Sequence, residues 1–226
     1  MTKFSQIETA KHQMLEICRK MDSRGYLADN DACVTYRLPD GGFLALATGV
    51  YRWRLDEEAV IELDSSGDML ESAGFLRPSS DVAMHLEIYR AHRSMQAVIN
   101  AQPPYATLCA VSGVALDSAL TPAAVTHLGV VPLVHFEIPG SRELCEVVAK
   151  SCPGHFALLL GNRGALVWGD NLFEAYQRME TLEGQARLTI GARGTEARIL
   201  PKAAVRELVA RRLQYGVNLG GIPGGQ

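Results

Sequence analysis

Arg77-Pro78-Ser79-Ser80-Asp81-Val82-Ala83-Met84-His85-Leu86-Glu87-Ile88-Tyr89 is the stretch from which the rest of the chain is most readily ordered. Serine is a preferred N-cap, so the spacing predicts a Ser-capped helix running through Met84, Leu86 and Tyr89 to about Ser94. Downstream, Ala97-Val98-Ile99-Asn100-Ala101 reads as a strand leading into Pro103-Pro104, where Pro104 suits the first turn of a helix through Leu108 and Val111. Residues 130–136 form another short β-rich run, and Pro139-Gly140-Ser141 opens a helix whose Glu143 and Glu146 complement its dipole. Residues 156–160 and 165–168 read as strands around Gly161-Asn162-Arg163-Gly164, and Asn171 with Glu174 resembles a capping box for a helix to about Ile190.

Upstream, Ile7, Ala10, Met14, Ile17 and Met21 recur at helical spacing, with Gly25 as C-cap. Residues 32–38 and 42–48 flank Pro39-Asp40-Gly41 and read as a hairpin. The end of the chain offers a helix from Pro201 to Tyr215 and a Gly- and Pro-rich stretch, 216–225, expected to be a mobile arm. Helix, hairpin, then alternating helices and strands argue an α/β sandwich with helices on a central sheet.

Composition removes several function classes. A formal charge of −3 and no basic run longer than Arg211-Arg212 argue against nucleic acid as a partner. The most apolar window, 97–116, is broken by Asn100, Gln102 and two prolines, so no membrane span is expected. No signal-peptide pattern opens the sequence, and five cysteines without a C-x-x-C fit reduced thiols; the expected location is cytoplasmic. There is no G-x-S-x-G elbow, P-loop or dinucleotide fingerprint.

The quoted stretch resembles the Pro-Ser-Ser-Glu and Met-His-x-x-Ile-Tyr segment of the class II aldolase/adducin superfamily, which includes sugar-phosphate aldolases and epimerases. Pro104-Tyr105-Ala106-Thr107, Pro139-Gly140-Ser141-x-x-Leu144 and Leu159-Leu160-Gly161-Asn162-Arg163-Gly164 extend the similarity over roughly Ile7 to Ile190. The resemblance implies a three-layer α/β/α sandwich with a central, mostly antiparallel sheet, a family domain over residues 1–200, and a C-terminal helix and flexible tail over 201–226. It also implies a homo-oligomer, most commonly a tetramer, with active sites between subunits.

In that family a divalent metal, usually zinc, is held by a His-x-His pair before Pro-Tyr-Ala-Thr and by a third His in the Asn-His-Gly turn, and the acid of Ser-Ser-Glu moves a proton. Here the pair reads Asn100-Ala101-Gln102, the turn carries Arg163, and the acid is shortened to Asp81. Carboxamides are poor zinc ligands, and a guanidinium repels a dication, so no metal and no cofactor are expected. Arg163 is instead expected either to pair with Asp81, with Asn100 and Gln102 satisfying the remaining donors, or to grip a substrate carboxylate, and one site can do both.

The family's sugar-phosphate pocket aligns with Ala32-Cys33-Val34-Thr35 and Leu46-Ala47-Thr48-Gly49. Thr35, Thr48 and Gly49, with Ser79 and Ser80 at a helix start and Asn100 and Gln102 at the former metal positions, remain candidates for binding a small anion or carboxylate substrate. Ser79 and Ser80 are caps as well, and the usual role of His85 in such a pattern is packing or orientation. His12, His92, His127, His135 and His155 show no metal-ligand spacing.

The first functional reading is a metal-independent lyase acting on a small hydroxy- or keto-carboxylate or sugar-derived substrate, with Asp81 and Arg163 as catalytic residues. A non-catalytic, adducin-like oligomeric binding or scaffold protein is the second, and a zinc-dependent sugar-phosphate aldolase or epimerase the third.

Overall fold

The computed structural model describes residues 3–27, 32–48, 55–71, 74–215 and 219–224. Helix α1 (Lys3–Ser23) is closed by Gly25 at φ 72°, a conformation glycine reaches without steric cost. Strands β1 (Cys33–Arg37) and β2 (Phe43–Leu46) pair antiparallel as the expected hairpin, with Gly41 at φ 93° in its turn. A further strand, β3 (Val60–Leu63), pairs with β2 after a short 3-10 turn and was not read from the sequence.

Helix α2 (Val82–Ala91) is followed by β4 (Ala97–Ala101) and α3 (Pro104–Val111), with Pro104 at the helix start as expected. Next come β5 (Leu133–Val134), α4 (Arg142–Ser151), β6 (Ala157–Leu160) and β7 (Gly164–Gly169). Helices α5 (Leu172–Gly191) and α6 (Lys202–Arg211) complete the order. Ser141 and Asn171 cap α4 and α5 by accepting from the amides of Leu144 and Glu174.

The strands form a seven-stranded sheet in the order β3-β2-β1-β4-β7-β6-β5, antiparallel throughout except for the β5–β6 pair. Side chains alternate across it. Val34, Ile99, Ala165 and Val167 face a core shared with Met14, Ala106, Met179 and Leu182 from α1, α3 and α5. Cys33, Val98, Leu166 and Trp168 face the other core, built with Met84, Ile88, Leu144 and Val148 from α2 and α4. Helices therefore cover both faces, in the expected three layers. Among the described residues no helix is long and apolar enough to cross a membrane.

Two local expectations are corrected. Helix α2 starts at Val82 with Asp81 as its N-cap, and it ends at Ala91 short of Ser94, because Ser79 and Ser80 belong to the preceding turn: the Val82 amide donates to the Ser79 carbonyl. The C-terminal stretch is not a free arm where it is described. Gly220 accepts from the Val130 amide and donates to the Gly154 carbonyl, and Arg212 Nη1 donates to the Leu219 and Gly221 carbonyls. Residues 216–218 and 225–226 lie outside the described residues.

The seat of this tail has no room for a side chain at Gly129, which sits at φ 77° and ψ −145°. A Cβ there would lie 1.6 Å from the Gly220 carbonyl oxygen. Gly129→Ala is expected to cost ~1–3 kcal/mol in backbone strain alone and to expel the tail; a lower thermal midpoint together with faster proteolysis after Tyr215 checks it, and an unchanged midpoint refutes it.

Candidate functional site

The site forms where the start of α2 meets the end of β4 and the β6–β7 turn. Asn100 and Gln102 share a parity with Val98, so Asn100 points to the α2 face of the sheet while Ala101 faces the opposite core. The β6–β7 turn is brought beside β4 by the pairing of Ala101 with Ala165. Gly164 makes this closeness possible: at φ 146° it places its Cα where a Cβ would lie 2.4 Å from the Ala101 carbonyl oxygen. The Arg163 amide donates to the Leu160 carbonyl, which closes the turn and sends the side chain inward.

There Arg163 Nη2 contacts Asp81 Oδ2 directly, and Asn100 Nδ2 donates to the same oxygen at 2.7 Å. The pair is sealed from water, with side-chain exposures of 6% for Arg163 and 0% for Asp81. Asp81 is the N-cap of α2 by position, yet its side chain caps nothing. It turns down to the sheet instead, because a buried guanidinium needs a counter-charge more than a helix end needs one more acceptor. Ser79 Oγ takes over part of that role by accepting from the Asp81 amide at 3.2 Å.

Beneath the pair lies a polar network inside the α2 core. Thr35 Oγ1 is 2.9 Å from both His85 Nδ1 and the Tyr89 hydroxyl, and the Cys33 sulfur is 3.9 Å from the same ring nitrogen. Burial, reinforced by the Arg163 charge, pushes the His85 imidazole down to about 3, so it is neutral at ordinary pH. Burial likewise pushes up the Cys33 thiol, with the Asp81 charge adding to it, and the Tyr89 phenol.

The expected residues therefore divide. Asp81, Arg163 and Asn100 come together as one hydrogen-bonded cluster. Gln102 lies beyond the end of β4, half-buried, with its amide donating to the Tyr26 carbonyl. Thr48 is half-buried beside Arg77, whose carbonyl its amide reaches, and Ser79 is half-buried while Ser80 is exposed. Gly140 packs so closely on Ser80 that a Cβ would come within 2.7 Å of the Ser80 Cβ. Thr35 is not at this surface: it is 1% exposed and its hydroxyl is engaged by His85 and Tyr89. Gly49 lies outside the described residues.

One contact was missed by sequence reasoning. Glu183 of α5, buried, accepts from the amides of Tyr105 and Ala106 and so caps α3, which Pro103 cannot cap for lack of a side-chain acceptor. The need for an outside acceptor is visible in Pro103-Pro104; its source 78 residues away is not.

The metal that the family resemblance implies does not fit this donor set. At the three corresponding positions stand two carboxamides and a guanidinium, and the Arg163 cation and an Asn100 N–H already occupy the Asp81 oxygen. A dication placed among them would sit at contact range of a fixed positive charge. Among the described residues no other group of three His, Cys, Asp or Glu side chains converges as a metal site.

With this fold and this cluster in view, the chain belongs to the class II aldolase and adducin N-terminal domain family, whose model matches residues 12–190. Within it the chain is a divergent, class II aldolase-like member. It is similar to the 3-oxo-tetronate 4-phosphate decarboxylase of Escherichia coli K12, 31% identical over 215 residues that cover 92% of this chain and 99% of the relative. It is similar also to the L-fuculose phosphate aldolase of Methanocaldococcus jannaschii, 29% identical over 80% of this chain and 95% of that one. The crystal structure of YgbL from Escherichia coli superposes with a TM-score of 0.82 at 29% identity, over 89% of this chain and 98% of that one.

Breaking a buried ion pair from one side leaves a bare charge in a medium that cannot solvate it. Arg163→Ala is expected to lower unfolding stability by ~3–5 kcal/mol, and Asp81→Asn added to it to cost less than the two changes separately. Urea unfolding of the single and double variants measures this; a loss for Arg163→Ala near the ~0–1 kcal/mol of a solvated pair contradicts the burial described.

Proposed function

We propose that this chain is a lyase in which the Arg163 guanidinium performs the electrostatic work that a metal ion would otherwise perform. The substrate class is a small 3-oxo- or hydroxy-carboxylate of sugar origin. The observation that carries the reading is the Asp81–Arg163–Asn100 cluster at the start of α2, in a chain similar over nearly its whole length to 3-oxo acid phosphate decarboxylases.

The chemistry asks little beyond a fixed positive charge. When a 3-oxo acid decarboxylates, the bond between the carboxyl carbon and C2 breaks, carbon dioxide leaves, and the electron pair becomes an enolate whose charge rests on the C3 oxygen. A guanidinium held in a dry site stabilises that oxygen as it gains charge, and C2 then takes a proton. Retro-aldol cleavage of a 3-hydroxy ketone develops an enolate of the same kind: the carbinol O–H loses its proton, the C–C bond breaks, an aldehyde leaves, and the electron pair rests on the ketone oxygen. Asp81, expected from the sequence to transfer the proton, is better suited to a different role here. Its Oδ2 is committed to Arg163 and Asn100, so it holds the cation in place and tempers its charge. Ser79 and Ser80, the two residues before Asp81, and Thr48, whose amide donates to the Arg77 carbonyl, are the side chains on hand for an anionic tail of the substrate.

The burial of the pair also favours a second reading, a non-catalytic protein in which Arg163 and Asp81 plug a site the family elsewhere leaves open. Release of carbon dioxide from 3-oxo-tetronate 4-phosphate separates the two. The lyase reading expects turnover that EDTA leaves unchanged, no stoichiometric zinc in the purified protein, and a loss of roughly 10²–10³ in kcat for Arg163→Ala, the scale of removing an oxyanion donor. Turnover that requires added zinc points to the metal-dependent alternative, and none on this or related hydroxy acids points to the plug.

The same reading includes a cytoplasmic homotetramer. It is supported by exposed apolar side chains near the β6–β7 turn, Leu108 and Val111 on α3 and Phe136 and Ile138 before α4, a set that a partner subunit would cover. Light scattering at micromolar concentration is expected to give four times the mass of the chain; a lone monomer refutes it.

A further inference from the structure

The network under the ion pair has a direction. Backbone carbonyls only accept, so the single proton of the Tyr89 hydroxyl goes to the Thr35 carbonyl at 3.0 Å, with that of Gln96 at 3.4 Å. The phenolic oxygen is then left to accept from the Thr35 hydroxyl, which is 2.9 Å away. Having given its only proton there, Thr35 Oγ1 must accept from its other neighbour, His85 Nδ1, also at 2.9 Å. The ring thus carries its proton on Nδ1 and presents a bare Nε2. That nitrogen is fully buried and has no hydrogen-bond partner among the described residues.

The surroundings favour a neutral ring. The charged and titratable groups around the ring are Asp81 and Tyr89 on α2, Cys33 on β1 and Arg163 in the β6–β7 turn. Asp81 lies one helical turn before His85, whose amide donates to the Asp81 carbonyl at 3.0 Å. Burial and the Arg163 charge together disfavour a second proton on the ring. A protonated ring would be a second cation competing for the Asp81 carboxylate that holds Arg163.

We propose that His85 is a positioning residue of this site: the Tyr89–Thr35 chain locks its ring as the neutral Nδ1–H tautomer, which keeps a second positive charge out of the dry space shared with Asp81 and Arg163. With no second cation beside it, Asp81 stays with Arg163 and Asn100, and the guanidinium keeps one orientation. The consequence for turnover rests on the lyase reading above; the tautomer does not.

The test is a long-range 1H–15N spectrum of the full chain with 15N-labelled histidine at pH 7, the His85 signals identified by their loss in His85→Asn. The expected spectrum has a protonated Nδ1 and an unprotonated Nε2, and Thr35→Val, which removes the oxygen with little change of shape, is expected to mix the tautomers. An Nε2–H or doubly protonated ring in the wild-type protein overturns the proposal, as does a Thr35→Val protein with the wild-type spectrum. On 3-oxo-tetronate 4-phosphate, Thr35→Val is expected to lower kcat about fivefold, one neutral hydrogen bond's equivalent, with KM little changed. A folded Thr35→Val protein with mixed tautomers and full kcat removes the positioning role. A wild-type protein without turnover refutes the lyase reading, and the spectrum alone then decides this one.

Discussion

A guanidinium buried against a carboxylate governs how the parts of this protein meet. Arg163 enters from a turn of the sheet and Asp81 from the start of a helix in the layer above it; Asp81 is fully buried and Arg163 keeps only 6% of its side chain exposed. Taking each charge out of water costs several kcal/mol, and only contact with the other, supplemented by the Asn100 N–H, compensates. The two elements are therefore not free to drift apart. Glycine at position 164 is the steric condition for this arrangement, since any side chain there would strike the β4 backbone and push the turn away.

Substituting a guanidinium for a metal changes what such a site can do. A metal ion is exchangeable, takes ligands from several directions and polarises bound oxygen strongly. Arg163 is covalently fixed, planar, permanently charged and able only to donate hydrogen bonds. Such a group suits a substrate whose developing charge sits on oxygen and needs no coordinated water. Its orientation then matters more than its charge, which is why the groups around it are significant. Asp81 and Asn100 restrain it directly, while the His85, Thr35 and Tyr89 network keeps a second positive charge out of the same dry space.

Elsewhere the fold meets buried polar groups in a consistent way, by borrowing charged side chains from other elements. Glu183 on α5 caps the proline-started α3. Arg178 gives Nη1 to the Trp168 carbonyl at 2.6 Å while its guanidinium lies 4.0 Å over the Phe156 ring. Arg212 spans from the Val125 carbonyl to those of Leu219 and Gly221, and so binds the last described segment to the body of the domain. In each case a charged side chain from a helix satisfies backbone groups that regular structure leaves open.

The sequence by itself determined what depends on local pattern. The hairpin, the capped starts of α4 and α5, and the strands at 97–101 and 156–168 follow from periodicity, turn residues and caps, which act over a few residues. Parity along β4 and the family resemblance were enough to expect an Arg163–Asp81 contact with Asn100 beside it, whereas Gln102 is placed past the end of β4. Tertiary structure decided the rest. The shift of the α2 start came from Asp81 preferring a distant cation to its own helix end, and the tail was anchored by Arg212 and by a glycine seat at 129 that its composition could not announce. Thr35 read as a ligand-facing hydroxyl, yet the packing of α2 over β1 turned it into an internal link between His85 and Tyr89. Each of these outcomes is a choice between partners far apart in sequence, and such choices are settled by burial and charge once the layers have closed.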